Sequence, residues 1–200
     1  MKVLTYTLGP VQANCYILIE NNHALIIDPG DSFDIQKLID QENITIDAIV
    51  LTHVHFDHFS GLESLCKNIS CDIYCNEKEF DFFMNPYLNA SSHFMYPVTY
   101  SCQPIAVKEG VIKIGTFEME AIYCPGHTTG STVYRYKNLL FTGDVLFKGS
   151  IGRCDLETGS FTEMKQSIQK IKEIKENLYI LPGHGPLSTL DEEKKENPYF

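Results

Sequence analysis

The segment Leu51-Thr52-His53-Val54-His55-Phe56-Asp57-His58 places three imidazoles and a carboxylate within six residues, directly after a hydrophobic run. Packing gives no reason to end a buried-type strand in this way. Imidazole and carboxylate are the ligands that a borderline divalent ion such as zinc takes. Three later segments offer further ligands in one pattern. Pro125-Gly126-His127, Gly143-Asp144 and Gly183-His184-Gly185 each set a polar residue beside glycine at the end of a strand-like run. Glycine lets the backbone turn sharply and come close to an ion.

The candidate ligands are therefore His53, His55, Asp57, His58, His127, Asp144 and His184, a set too large for one tetrahedral ion but suited to two. Side chains alternate along an extended chain, so His53 and His55 share a side and can grip one ion with His127. Asp57 and His58 lie past the bend and can face a second ion with His184. Asp144 can bridge both. Two divalent ions roughly 3.5–4 Å apart can share a hydroxide poised for attack. Any one of these residues has an ordinary reading, Asp57 as a helix cap for example. Five of the seven histidines falling in one pattern do not. His23 reads as surface turn chemistry, and His93 sits in an aromatic-rich loop that could face a cleft.

The elements that must position these groups follow from periodicity. Strands are expected at Lys2–Leu8, Cys15–Ile19, Ala24–Ile27 and Ile46–Leu51, with a helix over Ser32–Gln41 carrying Ile35, Leu38 and Ile39 at helical spacing. A helix after Ser60, a strand near Asp72–Cys75 and a short helix at Glu77–Met84 complete the first half. Residues 85–104 are irregular yet rich in Tyr, Phe and Met; they either fold back on the core or line a binding cleft. The second half repeats the order of elements, with strands at Val111–Ile114, Glu118–Cys124, Thr132–Tyr136 and Leu139–Thr142. A helix opens on the capping-box pattern Ser160-Phe161-Thr162-Glu163, and the strand Leu178–Leu181 follows. Strands then helices, twice over, predict an α/β chain: two packed sheets covered outside by helices, in one domain spanning 1–200.

Composition sets limits on partners. An apolar content of 44% with 21% charged residues is ordinary for a globular chain, and a net charge of −10 excludes a nucleic-acid surface. No run approaches the ~18 apolar residues of a membrane span. The N-terminal stretch lacks the pattern of a signal peptide, and the seven cysteines are scattered and odd in number. They are expected to be reduced, mostly buried thiols in a cytoplasmic protein.

The motifs Thr-His-x-His-x-Asp-His at 52–58, Pro-Gly-His at 125–127, Thr-Gly-Asp at 142–144 and Gly-His-Gly at 183–185 resemble the metallo-β-lactamase fold hydrolases. The turn Asp28-Pro29-Gly30 is similar to an early turn of that family, in which the Asp is structural. The resemblance runs in order over nearly the whole chain and implies an αββα sandwich with the metals at one edge of the sheets. Within the family, Ile151-Gly152-Arg153-Cys154-Asp155 and Glu196-Asn197-Pro198 resemble a short glyoxalase II-like subgroup. That resemblance implies two divalent ions (zinc, with iron or manganese as alternatives) and hydrolysis of a small hydroxyacyl thioester like S-lactoylglutathione. Asp57 or Asp144 would orient the nucleophile. True β-lactamases of the fold are usually exported and place a Cys among the second ion's ligands, which this chain lacks. Arg153 would bind a substrate carboxylate or pair with Asp155. Full-length glyoxalases II hold glutathione with basic residues on an extra helical domain that has no counterpart here, so Tyr, Phe and Met of 85–100 are the expected substrate wall. Two other readings stay open. One is a persulfide dioxygenase-like enzyme with a single iron on His53, His127 and Asp144; the other is a metal-binding module without catalysis.

Overall fold

Cys15, Ile17 and Ile19 contribute to one buried cluster and their neighbours Tyr16 and Leu18 to another, so both faces of this strand lie inside the protein. The computed structural model describes residues 1–94 and 96–200. The first sheet comprises β1 (Lys2–Leu8), β2 (Ala13–Glu20), β3 (His23–Ile27), β4 (Thr45–Val50), β5 (Asp72–Asn76) and β6 (Ile105–Val107), in that spatial order. The edge strand β1 alternates between exposed and half-buried residues, whereas β2 is almost continuously buried, as a strand covered on both faces must be. The second sheet comprises β7 (Gly110–Ile114), β8 (Phe117–Tyr123), β9 (Thr132–Tyr136), β10 (Leu139–Gly143), β13 (Tyr179–Pro182) and β14 (Ser188–Thr189), while β11 (Leu146–Phe147) and β12 (Ser150–Ile151) form a separate hairpin.

Parity divides the apolar residues between layers. Leu25, Ile27, Ala48 and Val50 of the first sheet meet Phe117, Met119, Ala121, Tyr134 and Phe141 of the second in the central core. The opposite face of the first sheet, with Ile26 and Ile49, is covered by α1 (Ile35–Glu42), α2 (Phe56–Phe59) and α3 (Leu62–Leu65). The opposite face of the second sheet, with Val133, Leu140 and Ile180, is covered by α5 (Phe161–Lys172) and α6 (Leu190–Glu196). The result is the expected four-layer αββα sandwich. Between β5 and β6 lie a 3-10 helix over Glu77–Met84 and the short α4 (Ser91–Phe94).

Direction within the sheets brings the strand ends together. β3 and β4 are parallel, and β10 and β13 are parallel. β8 and β10 are both antiparallel to β9, so they run the same way. The residues that follow β3, β4, β8, β10 and β13 are drawn to one rim.

Several local expectations are corrected. The helix expected over Ser32–Gln41 starts at Ile35, because the Asp34 side chain accepts the Lys37 N–H and caps it there. The helix expected after Ser60 is present as α3, but a separate single turn, α2, precedes it, and Gly61 between them gives its N–H to the Pro29 carbonyl at 2.9 Å. Ser160 caps α5 by accepting the Glu163 N–H, but its own N–H goes to the Gly126 carbonyl at 2.8 Å, so the reciprocal half of the box is absent. The complete capping box is at Thr189 and Glu192, opening α6, a helix that the acidic composition of 191–197 concealed. The irregular segment does both things expected of it. Leu88, Val98 and Tyr100 pack on the core, while Phe94 and Tyr96 stay exposed at its edge. Met95, part of the expected substrate wall, lies outside the described residues.

Phe141 is fully buried between the sheets with its ring edge-on to Tyr16. Replacing it with alanine is expected to cost about 3–5 kcal/mol, read as a lowered urea midpoint at unchanged slope.

Candidate metal centre

All seven side chains singled out by type and spacing come together at one rim, where His55, Asp57, His127, Asp144 and His184 line a cavity and His53 and His58 are buried beside them. Their potential ligand atoms fall into three groups, each within 4.8 Å: His53, His55 and His127; His53, His58 and Asp144; Asp57, His58 and His184. Asp144 reaches across the set. Its Oδ1 lies 3.4 Å from His58 Nε2, and its Oδ2 lies 3.5 Å from His127 Nε2 and 3.6 Å from His184 Nε2.

Each position has a local cause. His53 follows the last residues of β4, and His55 retains extended backbone (φ −79°, ψ 151°) at the start of α2, so the two imidazoles fall on one side. Asp57 and His58 lie past the bend, as expected, and sit inside the single turn of α2. His127 follows Gly126, whose φ of +140° suits glycine, and a Cβ there would sit 2.4 Å from the Met164 backbone of α5. Gly183 gives way to Asp144 itself: a Cβ would lie 2.1 Å from Oδ1.

Hydrogen bonds behind the ligands set their tautomers. His127 Nδ1 lies 2.8 Å from the Arg153 carbonyl oxygen. A carbonyl can only accept, so the proton belongs to Nδ1, and Nε2 turns its lone pair inward, 2.9 Å from His55 Nδ1. The Thr52 hydroxyl donates to Asp28 Oδ2 at 2.6 Å, which leaves it to accept from His53 Nδ1 at 3.2 Å and frees His53 Nε2. Asp28 also accepts the Thr52 N–H at 2.8 Å, and its Oδ2 stands 3.0 Å from His58 Nδ1. The Asp28-Pro29-Gly30 turn thus steadies two of the histidine positions.

Electrostatics separate the imidazoles into two kinds. Burial, reinforced by neighbouring rings, holds His53 well below and His127 below the usual histidine value, and lowers His55 to about 3. Burial also opposes charging of His58, but the carboxylates of Asp57, Asp28 and Asp144 outweigh it and raise that group. Burial would raise Asp144 too, yet the charges of His58, His127 and His184 hold it well below the carboxylate range. Buried His53 Nε2, His58 Nε2 and Asp144 Oδ1 have no hydrogen-bond partner. Interior polar atoms almost always have one, so these lone pairs fit a bound cation.

The cavity has a volume of about 290 Å³, with apolar walls of Val11, Phe56, Ala90, Phe94, Phe147 and Leu156. Arg153 also lines it, but its guanidinium is held by Asp155 at 2.7 and 2.8 Å. His93 pairs with Glu157 at 2.8 Å and His23 with Asp47 at 2.6 Å. Neither is near the ligand groups.

Sequence spacing gave no sign of Glu79. It is fully buried, accepts from the Val54 N–H, the Thr128 hydroxyl and the Gly130 N–H, and is pushed up to about 7 by burial against those hydrogen bonds. Its helix, Glu77–Met84, mixes charged and apolar residues and does not single out the buried acid. Asn197, in the Glu196-Asn197-Pro198 motif, has a structural task that the motif did not reveal. Its buried amide donates to the carbonyls of Phe147 and Ser150 and fixes the hairpin beside the cavity.

A family model described as the metallo-beta-lactamase superfamily matches residues 8–184. The chain is 34% identical to a probable metallo-hydrolase, YqgX, of Bacillus subtilis, over 100% of this chain and 98% of that one. It is 30% identical to the hydroxyacylglutathione hydrolase GloC of Haemophilus influenzae, with the same coverage of 100% and 98%. Among solved structures, the BLEG-1 B3 metallo-beta-lactamase superposes with a TM-score of 0.92 at 38% identity, covering 99% of both chains.

Two outcomes follow from the geometry. Gly183→Ala is expected to displace Asp144 and lower bound metal, as measured by elemental mass spectrometry of the folded variant. In metal-free protein, the unfolded chain takes up a proton at His55 below about pH 6.5 that the folded chain refuses until about pH 3. The stability linked to His55 is therefore full above about pH 6.5 and is lost as the pH falls toward 3. His55→Gln should flatten that acid limb in urea titrations of chelator-treated protein.

Proposed function

The chain belongs to the metallo-beta-lactamase superfamily, and from that premise we propose that it is a dinuclear metal-dependent hydrolase of small hydroxyacyl thioesters, similar to glyoxalase II. The observation that carries the reading is the pair of ligand trios, His53/His55/His127 and Asp57/His58/His184, with Asp144 in reach of both. Divalent ions held there, zinc first among them, supply Lewis acidity toward a carbonyl and lower the pKa of water to about 7.

The chain's own residues do the rest. His127 is locked by Arg153 and His53 by Thr52, each with its unprotonated nitrogen aimed inward. Asp57, 3.1 Å from His184 Nε2, and Asp144 are the carboxylates positioned to orient a nucleophile. The apolar walls, Phe94 of the aromatic segment among them, exclude water from the acyl group.

The leaving group favours a thioester. Every titratable side chain lining the cavity among the described residues is a candidate ligand or Arg153. No separate acid stands ready to protonate a departing amine. A thiolate, with a conjugate acid near pKa ~8.5, leaves without one. The likeness to a hydroxyacylglutathione hydrolase supports the same choice. The likeness to the BLEG-1 B3 metallo-beta-lactamase favours lactam hydrolysis as the second reading. Seven unpaired cysteines support placing the protein in the cytoplasm.

Metal analysis and turnover test this together. About two equivalents of metal per chain, with chelator-sensitive hydrolysis of a lactoyl thioester, are expected. His127→Ala should lower kcat/KM at least tenfold, the order of loss known for disturbed metal ligation. Lactam turnover exceeding thioester turnover would establish the second reading. One equivalent of iron, with oxygen uptake on a persulfide and no hydrolysis, would overturn both.

A further inference from the structure

The His53–His55 segment belongs to the first sheet and His127 to the second, so one ion's ligands sit on loops from different halves of the molecule. A single side chain reaches both loops from behind. The fully buried carboxylate of Glu79, from the 3-10 helix, turns Oε2 to the N–H of Val54, between His53 and His55. Its Oε1 takes the hydroxyl of Thr128, next to His127, and the N–H of Gly130 at 2.8 Å. Each oxygen serves one loop, and all three partners donate. The space is made to fit: a Cβ on Gly130 would lie 2.5 Å from Glu79 Cγ.

We propose that Glu79 is a positioning residue that sets the distance between the His53–His55 loop and the His127 loop, and so the geometry of the ion those histidines hold. The proposal rests on the metal-centre reading above and extends it to a residue that touches no ligand side chain. Only a carboxylate meets the pattern. Glutamine keeps the shape but has one acceptor oxygen, and its amide N–H₂ would face an N–H donor of one loop or the other. One loop is released whichever way the amide turns.

The test is titration of metal-stripped protein with zinc against a competing chelator, for wild type, E79Q and the exposed neighbour variant E77Q. E79Q is expected to weaken the zinc equivalent that H127A also loses, by about tenfold to a hundredfold, the range found when groups behind metal ligands are changed. The other equivalent and the E77Q protein should match wild type, and kcat on a lactoyl thioester should fall in E79Q with little change in KM. Folded E79Q holding both zinc ions at wild-type affinity overturns the proposal. If circular dichroism shows that E79Q does not fold, Thr128→Val decides, because it removes one donor and leaves the carboxylate. Weakened zinc in folded T128V supports the positioning role, and wild-type affinity overturns it. A wild-type chain that binds no zinc, iron or manganese overturns the metal-centre reading itself. That result is distinct from a chain that binds metal and ignores thioesters, which overturns the substrate alone.

Discussion

Buried imidazoles and carboxylates crowd one another at the rim with more lone pairs than donors to meet them, and the arrangement of the rest of the molecule answers that strain. Leaving a buried polar group unsatisfied costs roughly 1–3 kcal/mol, and His53 Nε2, His58 Nε2 and Asp144 Oδ1 are all in that state. A cluster of this kind disperses unless each member is held from outside it. His127 is held by the Arg153 carbonyl, His53 by the Thr52 hydroxyl and Thr52 by Asp28. The rings cannot turn away from one another without breaking those bonds. What the cluster lacks is a positive charge at its centre, which is what a divalent cation brings.

The same constraint explains why the two sheets are stitched together at this end. The Asn14 N–H donates to the Gly183 carbonyl at 2.7 Å, and the Tyr16 hydroxyl donates to the Pro182 carbonyl at 2.7 Å. The Thr132 N–H donates to Thr52 O at 2.8 Å, and the Tyr134 hydroxyl to Leu51 O at 3.1 Å. Apolar packing between sheets is non-directional and leaves them free to slide. Hydrogen bonds to backbone carbonyls at the strand ends fix the offset, and they fall beside the candidate ligand residues. Slippage of a fraction of an ångström, harmless in the core, would separate His53 from Asp144.

How much of this the sequence disclosed depends on whether the signal was local. Type and spacing were enough to single out seven side chains that the fold brings together, because histidine beside glycine at a strand end has few structural reasons to recur. They were enough for the layers, because parity along β2, β3 and β10 assigns each apolar residue to a face. They failed at helix boundaries. Whether Ser160 forms a full capping box depends on whether Gly126, far off in sequence, takes its N–H. The break at Gly61 depends on the Pro29 carbonyl for the same reason. Glu79 was invisible because nothing near it in the chain reveals that Thr128 and Gly130 arrive to meet it. The α6 helix was obscured by charges on its exposed side, although the buried Glu193, bonded to the Gly149 N–H and the Asn197 amide, makes it part of the site's support.

The single turn α2 shows how tightly these demands are combined. Asp57 and His58 face the ligand cluster, while Phe59 packs into the core 5.3 Å from the ring of Phe83. Phe56 forms a wall of the 290 Å³ metal cavity and also of a neighbouring cavity of about 340 Å³, lined further by Asp31, Glu63 and Tyr96. Asp57 borders both spaces as well. Four consecutive residues thus face the candidate metal centre, anchor and partition. A longer helix would serve the anchor equally well, but it would have to pass where Gly61 lies against the Pro29–Asp31 backbone, the turn that carries Asp28 to Thr52 and His58. The shortness of α2 is therefore a consequence of the metal-site scaffold behind it, and the position of Phe56 between the two cavities is a consequence of that shortness.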